Sequence, residues 1–144
     1  IYPIVDKINA HFSSYASLTN DQLRSKTQEF RSRIQDHLKA IDQSISDLNH
    51  EAEQLPAEDI LGKDNIYKQV DELKKKRDSQ IEEILNDLLP EAFAVVKEAG
   101  RRFKENEELT ATATALDRDL SVKKDYIFSF DFSKMHFSIY SNQE

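Results

Sequence analysis

The chain has 144 residues, about one domain's worth of material, with a third of them charged and only 38% hydrophobic. A net charge of −7 argues against nucleic acid as a partner, which would need clustered cation excess, and no run approaches the roughly 18 to 20 apolar residues that span a bilayer. The absence of cysteine excludes disulfide frameworks and thiolate metal sites, so a reducing, cytosolic setting is the default expectation.

With so few apolar residues, burial must be concentrated on stripes, the pattern of long amphipathic helices. Two glycines and three prolines leave little material for tight turns, which again favours few, long elements. The opening Ile1-Tyr2-Pro3 reads like mid-chain sequence, so a piece of something longer is expected.

Pro3 suits the first turn of a helix, and Ile4, Val5, Ile8 and Phe12 give a short apolar stripe that Ser13 to Ser17 interrupt. Thr19 and Gln22 then form a capping box, bracketed by Leu18 and Leu23 as a hydrophobic staple. From there Leu23, Phe30, Ile34, Leu38, Ile41, Ile45, Leu48, Ala52 and Leu55 form a seam whose later steps alternate three and four. A helix from Asn20 to Gln54 at this spacing would be roughly 50 Å long.

Pro56 to Asp64 carries loop chemistry, with Pro56, Gly62 and an N-cap expected at Asp64. A second seam follows at Ile66, Val70, Leu73, Arg77, Ile81, Ile84 and Leu88. Folding back at the loop pairs Leu55 with Ile66, Leu48 with Val70 or Leu73, Leu38 with Ile84, and Ile34 with Leu88, an antiparallel hairpin.

Pro90 is expected to end the second helix and open a third, Glu91 to about Lys104, with Glu91 near its positive end. Beyond Glu105, Leu109, Ala113, Leu116 and Leu120 have helical spacing weakened by threonines. The tail changes period: Tyr126, Phe128, Phe130 and Phe132, then Met135, Phe137 and Ile139, alternate as one strand or a hairpin of two. The fold class expected is mainly α: a long antiparallel helical hairpin, shorter helices, and a small C-terminal β-strand or hairpin.

Little catalytic chemistry is visible. Gly62 and Gly100 lie too far apart for a phosphate-cradling or dinucleotide-binding loop. His11, His37, His50 and His136 lack metal-ligand spacing, and Glu82-Glu83 and Glu107-Glu108 read as solvated faces in so acidic a chain. No catalytic, cofactor-binding or metal-binding residue is assigned.

Lys74, Lys75, Lys76 and Arg77 form the only basic run, a candidate patch for anionic lipid or an acidic partner. The preferred bland reading makes it a solvated hairpin flank, with the Arg77 stem along the seam and its head in water. Phe128, Phe130 and Phe132 are read as a strand face packing on something, and an unpaired strand edge there leads one to expect self-association.

Two stretches, LTNDQLRSKTQEFRSRI with the preceding PIVDKINA and LLPEAFAVVKEAGRRF, resemble the SecA family, the ATP-driven motor of bacterial preprotein translocation. In that family the first is a lead-in helix and LPEAF opens a helix of the first nucleotide-binding domain. Most members join the two across a few residues, whereas roughly fifty intervene here. Some members carry a long insertion at this point and a second one after RRF, which NEELTATATALDRDLSVKKDYI resembles.

The organisation implied is lead-in helices at 1–34, an inserted hairpin at 35–86, a nucleotide-binding-domain helix at 87–104, and a second insertion with strands at 105–144. The resemblance implies a parent that uses ATP and Mg, binds the SecYEG channel, preproteins and the anionic membrane surface, and works at the cytoplasmic face of the bacterial inner membrane. The ATP-contacting loops would lie beyond Glu144, so this chain is expected neither to bind nor to hydrolyse ATP. The reading weighed against it is a free-standing helical-hairpin adaptor binding a partner or itself.

Overall fold

The computed structural model describes residues 2–123, 127–131 and 134–138. They form α1 (Tyr2–Tyr15), α2 (Asn20–Gln54), α3 (Ile60–Glu105), β1 (Glu108–Thr112), α4 (Ala115–Ser121), β2 (Ile127–Asp131) and β3 (Lys134–Ser138). The class is mainly α, as the periodicity implies. Contacts divide the chain into two compact units, Gln28–Leu89 and the pair of segments Ile1–Thr27 and Pro90–Glu144.

Within the Gln28–Leu89 unit, α2 and α3 pack as an antiparallel hairpin. Ala52, Ile66 and Val70 are buried together, with Ile45, Leu48 and Leu55 packed against them. The cluster gathers Leu55 with Ile66 and Leu48 with Val70, residues expected to meet across the hairpin with Leu73 as the alternative partner of Leu48. Burying Ile66 and Val70 contributes about 1.5–3 kcal/mol each. Leu38, Ile41, Ile84 and Leu88 are buried further along the seams. Midway, Arg77 donates from Nε to Asp42 Oδ1 and from Nη2 to Asp42 Oδ2, the latter at 3.4 Å.

The loop is shorter than expected. Its cap is Asp59, whose Oδ1 accepts from the Gly62 backbone N–H at 2.9 Å, so α3 begins at Ile60. Asp64, expected as the cap, sits inside the helix and pairs with Lys68 at 2.7 Å. Gly62 lies in the first turn, where a Cβ would stand 2.4 Å from Asp59 Oδ2. The glycine leaves room for the capping carboxylate to fold over the helix end.

Helix α3 does not stop at Pro90, correcting the expected break; Glu91 is mid-helix and accepts from the Tyr15 hydroxyl at 3.4 Å. A proline inside a helix removes the bond to the carbonyl four residues back and costs about 3 kcal/mol or more. What offsets this is packing: Pro90 is buried, and Ala94 one turn on packs with Tyr15 and Leu23 at the centre of the other unit.

That unit is built on α1, which continues past the apolar stripe through Ser13 and Ser14 to Tyr15. Ser13 and Ser14 return their hydroxyls to Asn9 O and His11 O, so neither competes with the helix from outside. Ile8, Phe12, Leu18, Val95 and Ala99 pack around Tyr15, Leu23 and Ala94. Lys97 pins α1 from α3, reaching Asn9 Oδ1 at 2.7 Å while its Nζ stands 4.4 Å from the Phe12 ring centroid.

The helix expected through Leu109 is a strand. Leu109, Ala111 and Ala113 point inward and Thr110 and Thr112 outward, a period-two pattern that threonine favours. Only Leu116 and Leu120 belong to a helix, the short α4. A three-stranded antiparallel sheet has the order β1-β3-β2, with a register shift between Phe128 and Asp131. The C-terminal strand pair therefore forms, with β3 in the middle. Tyr126, Phe132, Ser133 and Ile139 lie outside the described residues, as do the side chains of Phe128 and Phe130.

Candidate functional site

The densest polar chemistry lies where α1 turns into α2 against the end of α3, all within one unit. The turn is set by local sequence. Gln22 N–H donates to Thr19 Oγ1 at 3.2 Å and Thr19 N–H donates to Gln22 Oε1 at 2.9 Å, the capping box expected from sequence. Leu18 and Leu23 both pack into the core, completing the staple.

Arg102 reaches into this turn and uses every guanidinium nitrogen. Nη2 donates to Tyr15 O at 3.1 Å and Leu18 O at 2.6 Å, Nη1 to Asn20 Oδ1 at 2.7 Å, and Nε to Glu98 Oε1 at 2.7 Å. It thus adds a donor to Tyr15 O, which also accepts from the Leu18 N–H at 3.1 Å, and supplies one to Leu18 O in the turn after α1. Glu98, fully buried, also accepts from Arg101 Nη2 at 2.7 Å and Nε at 2.9 Å. Arg101 in turn pairs with Glu105.

These bonds fix the protonation states. The Arg101 hydrogen bonds, followed by that from Arg102, overcome the penalty of burial and hold the Glu98 carboxyl at about 2, well below its ordinary 4.5. The same pairing pushes the Arg101 guanidinium up. Arg101 and the Glu98 carboxylate therefore stay charged near neutrality, which suits a brace and not proton transfer.

A second cluster joins the first turns of α2 to β1. Asp21 accepts from the Thr112 N–H and hydroxyl, each at 2.7 Å, and these two bonds draw its carboxyl below the usual range. Asn20 Nδ2 donates to Thr110 O at 2.8 Å and Arg24 Nη1 to Thr112 O at 3.1 Å. Side chains of α2 thus satisfy the backbone edge of β1 facing away from β3, covering an exposed strand edge. Arg24 Nη2 also bonds Asp117 Oδ2 at 2.7 Å.

Asp117 closes the capping box of α4 with Thr114. Burial pushes its carboxyl up, but the Thr114 N–H and Arg24 outweigh that and leave it below normal. Between the two clusters opens a cavity of about 210 Å³ lined by Asn20, Leu23, Arg24, Ala99, Arg102, Phe103, Leu109 and Ala111. Its lining is largely apolar.

Sequence reasoning missed Glu98, Arg102, Asp21 and Asp117 as a group. The legible signals were a Glu and an Arg four apart in VVKEAGRRF and the T-x-x-D box at Thr114. The basic run it singled out lies in the other unit. Arg77 is engaged by Asp42, Lys74 faces Asp71 at 3.7 Å, and Lys75 and Lys76 are exposed. The structure does not gather the four around one point. Among the described residues no group of three or more His, Asp or Glu is placed to hold a metal, and no helix is long and apolar enough to cross a membrane.

Fold and site together define a helix-bracing segment, in which one buried arginine of α3 ties the end of α1 to the start of α2. Residues 1–115 match the family model of the SecA DEAD-like domain. Protein translocase subunit SecA of Christiangramia forsetii is 45% identical over 127 residues, covering 88% of this chain and 11% of that protein. The subunit of Flavobacterium psychrophilum is 43% identical, and that of Amoebophilus asiaticus 40%, each again over 88% of this chain and 11% of the relative. No solved structure matches. The chain belongs to the SecA family. It spans about a tenth of the length of these relatives, and alignments over 127 residues are too long to leave out the hairpin.

Proposed function

We propose that this chain is the N-terminal part of a SecA motor that uses ATP and Mg to drive preproteins through the SecYEG channel at the cytoplasmic face of the inner membrane. Within it the chain is structural and interaction-bearing, and the ATP site lies elsewhere in the polypeptide. The observation that carries this reading is the 45% identity to a translocase subunit along 88% of the chain. The Glu98–Arg102 brace supports it from the side of mechanism. A motor segment must keep its lead-in helix at a fixed angle to its neighbours, and a saturated buried guanidinium does that.

Residues 35–86 are the inserted hairpin of this reading, and the compact unit Gln28–Leu89 supports treating them as a module. Contact with an anionic membrane surface would fall to Lys75 and Lys76, because Arg77 is committed to Asp42. Nothing observed favours the free-standing adaptor.

The test is export by the complete protein with residues 35–86 replaced by a short linker. ATP-dependent preprotein transport by the parent, altered in rate but not abolished by the deletion, is expected. A parent without nucleotide-driven transport overturns the reading.

A further inference from the structure

The first two turns of α3, at the tip of the hairpin, present apolar side chains that neither the helix start nor the hairpin core requires. Asp59 caps the helix, and the turn that follows favours carboxylates beside its positive end; here it holds Ile60 and Leu61 and no acidic residue. The seam beneath is already filled by Ala52, Ile66 and Val70. Ile60 and Leu61 are left 73% and 82% exposed, and Tyr67 48%. Ile60 and Tyr67 lie two turns apart on one stripe, about 10 Å long, with Leu61 beside them. Isolated apolar residues on a surface are ordinary, but three gathered on one exposed helix face mark a contact.

The charge around this face selects its occupant. Between His50 and Lys68 the sequence holds five carboxylates against two lysines. Asp64 is paired with Lys68, and Asp59 is committed to the cap. Glu51, Glu53 and Glu58 are exposed and have no ion pair among the described residues, so the negative surplus faces solvent. An anionic membrane surface, or the same tip of a second copy, would bring like charge against it. A basic partner brings opposite charge around an apolar centre. Anchors two turns apart fit a helix laid along α3 with its own apolar residues at three- and four-residue spacing. We propose that the Ile60–Leu61–Tyr67 face docks a basic amphipathic helix of a separate polypeptide, whose lysines or arginines pair with Glu51, Glu53 and Glu58.

The test uses the complete protein and a fluorescein-labelled helical peptide of leucine and lysine, its leucines on one face, read by anisotropy at low salt. Binding is expected, weakened at least fivefold by Ile60→Ser with Leu61→Ser. A second variant, Glu51→Lys with Glu58→Lys, touches no packed residue and should weaken it as much, as should replacing the peptide's lysines with glutamate. Glu82→Ser with Glu83→Ser, two exposed carboxylates some twenty residues further along α3, should leave binding unchanged. Equal binding by the Ile60/Leu61 variant, or of the glutamate peptide, overturns the proposal. Sedimentation with vesicles of phosphatidylglycerol and phosphatidylcholine in equal parts, lost in the same variant, overturns it in favour of a membrane. A dimer that this variant dissolves overturns it in favour of a second copy. Maleimide labelling of Leu61→Cys in a cysteine-free background should be as fast in native buffer as in urea; tenfold slower native labelling means that the polypeptide's own later residues cover the tip, which also overturns it. Loss of peptide binding leaves the motor assignment untouched, and a parent without transport leaves this surface in place.

Discussion

Replacing Glu98 with alanine tests the brace most severely. The carboxylate accepts three charge-assisted bonds from Arg101 and Arg102, and removing it strands the Arg102 Nε in a residue only 8% exposed. Breaking a buried ion pair from one side costs about 3–5 kcal/mol, because the remaining charge has no solvent to turn to. At about 3 °C per kcal/mol for a chain of this size, the thermal midpoint should fall by roughly 10–15 °C. Urea titration followed by far-UV circular dichroism gives the free energy. Arg102→Leu alone should be similarly harmful, but adding it to Glu98→Ala should cost far less than the sum, since the network is already broken. A loss below about 1 kcal/mol for Glu98→Ala, or strict additivity, would refute the argument that this pair holds α1 against α3.

Acid should act through the same group. Because the Glu98 pKa is lowered on folding, its contribution, on the order of 3 kcal/mol, is complete above about 4.5 and is lost as pH falls toward about 2. Asp21 and Asp117 shift in the same direction and steepen the loss; a Glu98→Gln variant measured between pH 5 and 2 should show a visibly flatter acid limb. At the hairpin loop, Asp59→Ala should cost about 1 kcal/mol as a lost cap. Gly62→Ala should be close to neutral by urea titration, its gain in helix propensity offset by displacing the Asp59 carboxylate, and adding it to Asp59→Ala should stabilise by close to 1 kcal/mol. Val70→Asp, which places a charge in the buried hairpin cluster, should melt the Gln28–Leu89 unit, read as loss of amide-exchange protection at Ile66 and Ala52.

How much of this was legible depended on how local the cause was. The bounds of α2 follow from a capping box and an unbroken seam, both contained within a few residues, and sequence reading places them at Asn20 and Gln54. The hairpin register follows from two apolar repeats that have one short connection between them. Pro90 misled because its local penalty is real but smaller than the burial of Pro90 and Ala94, which only tertiary contacts reveal. Asp64 misled because two acidic residues compete for the cap, and Gly62 decides for Asp59 by leaving room above the helix end. Leu109 to Ala113 fits both periods, and the donors from Asn20, Asp21 and Arg24 that favour the strand come from some ninety residues away. The brace was invisible for the same reason: Arg102 finds Tyr15 and Leu18 across more than eighty residues. Family resemblance, by contrast, was carried by short contiguous motifs and was legible from the start.

The most direct test of the central claim, that this chain is a bracing segment of a motor whose nucleotide site lies elsewhere, is a calorimetric titration of ATP with Mg into the 144-residue chain and into the complete protein. The account predicts saturable binding by the complete protein and none by the chain alone at millimolar nucleotide. Micromolar affinity in the chain alone would contradict it.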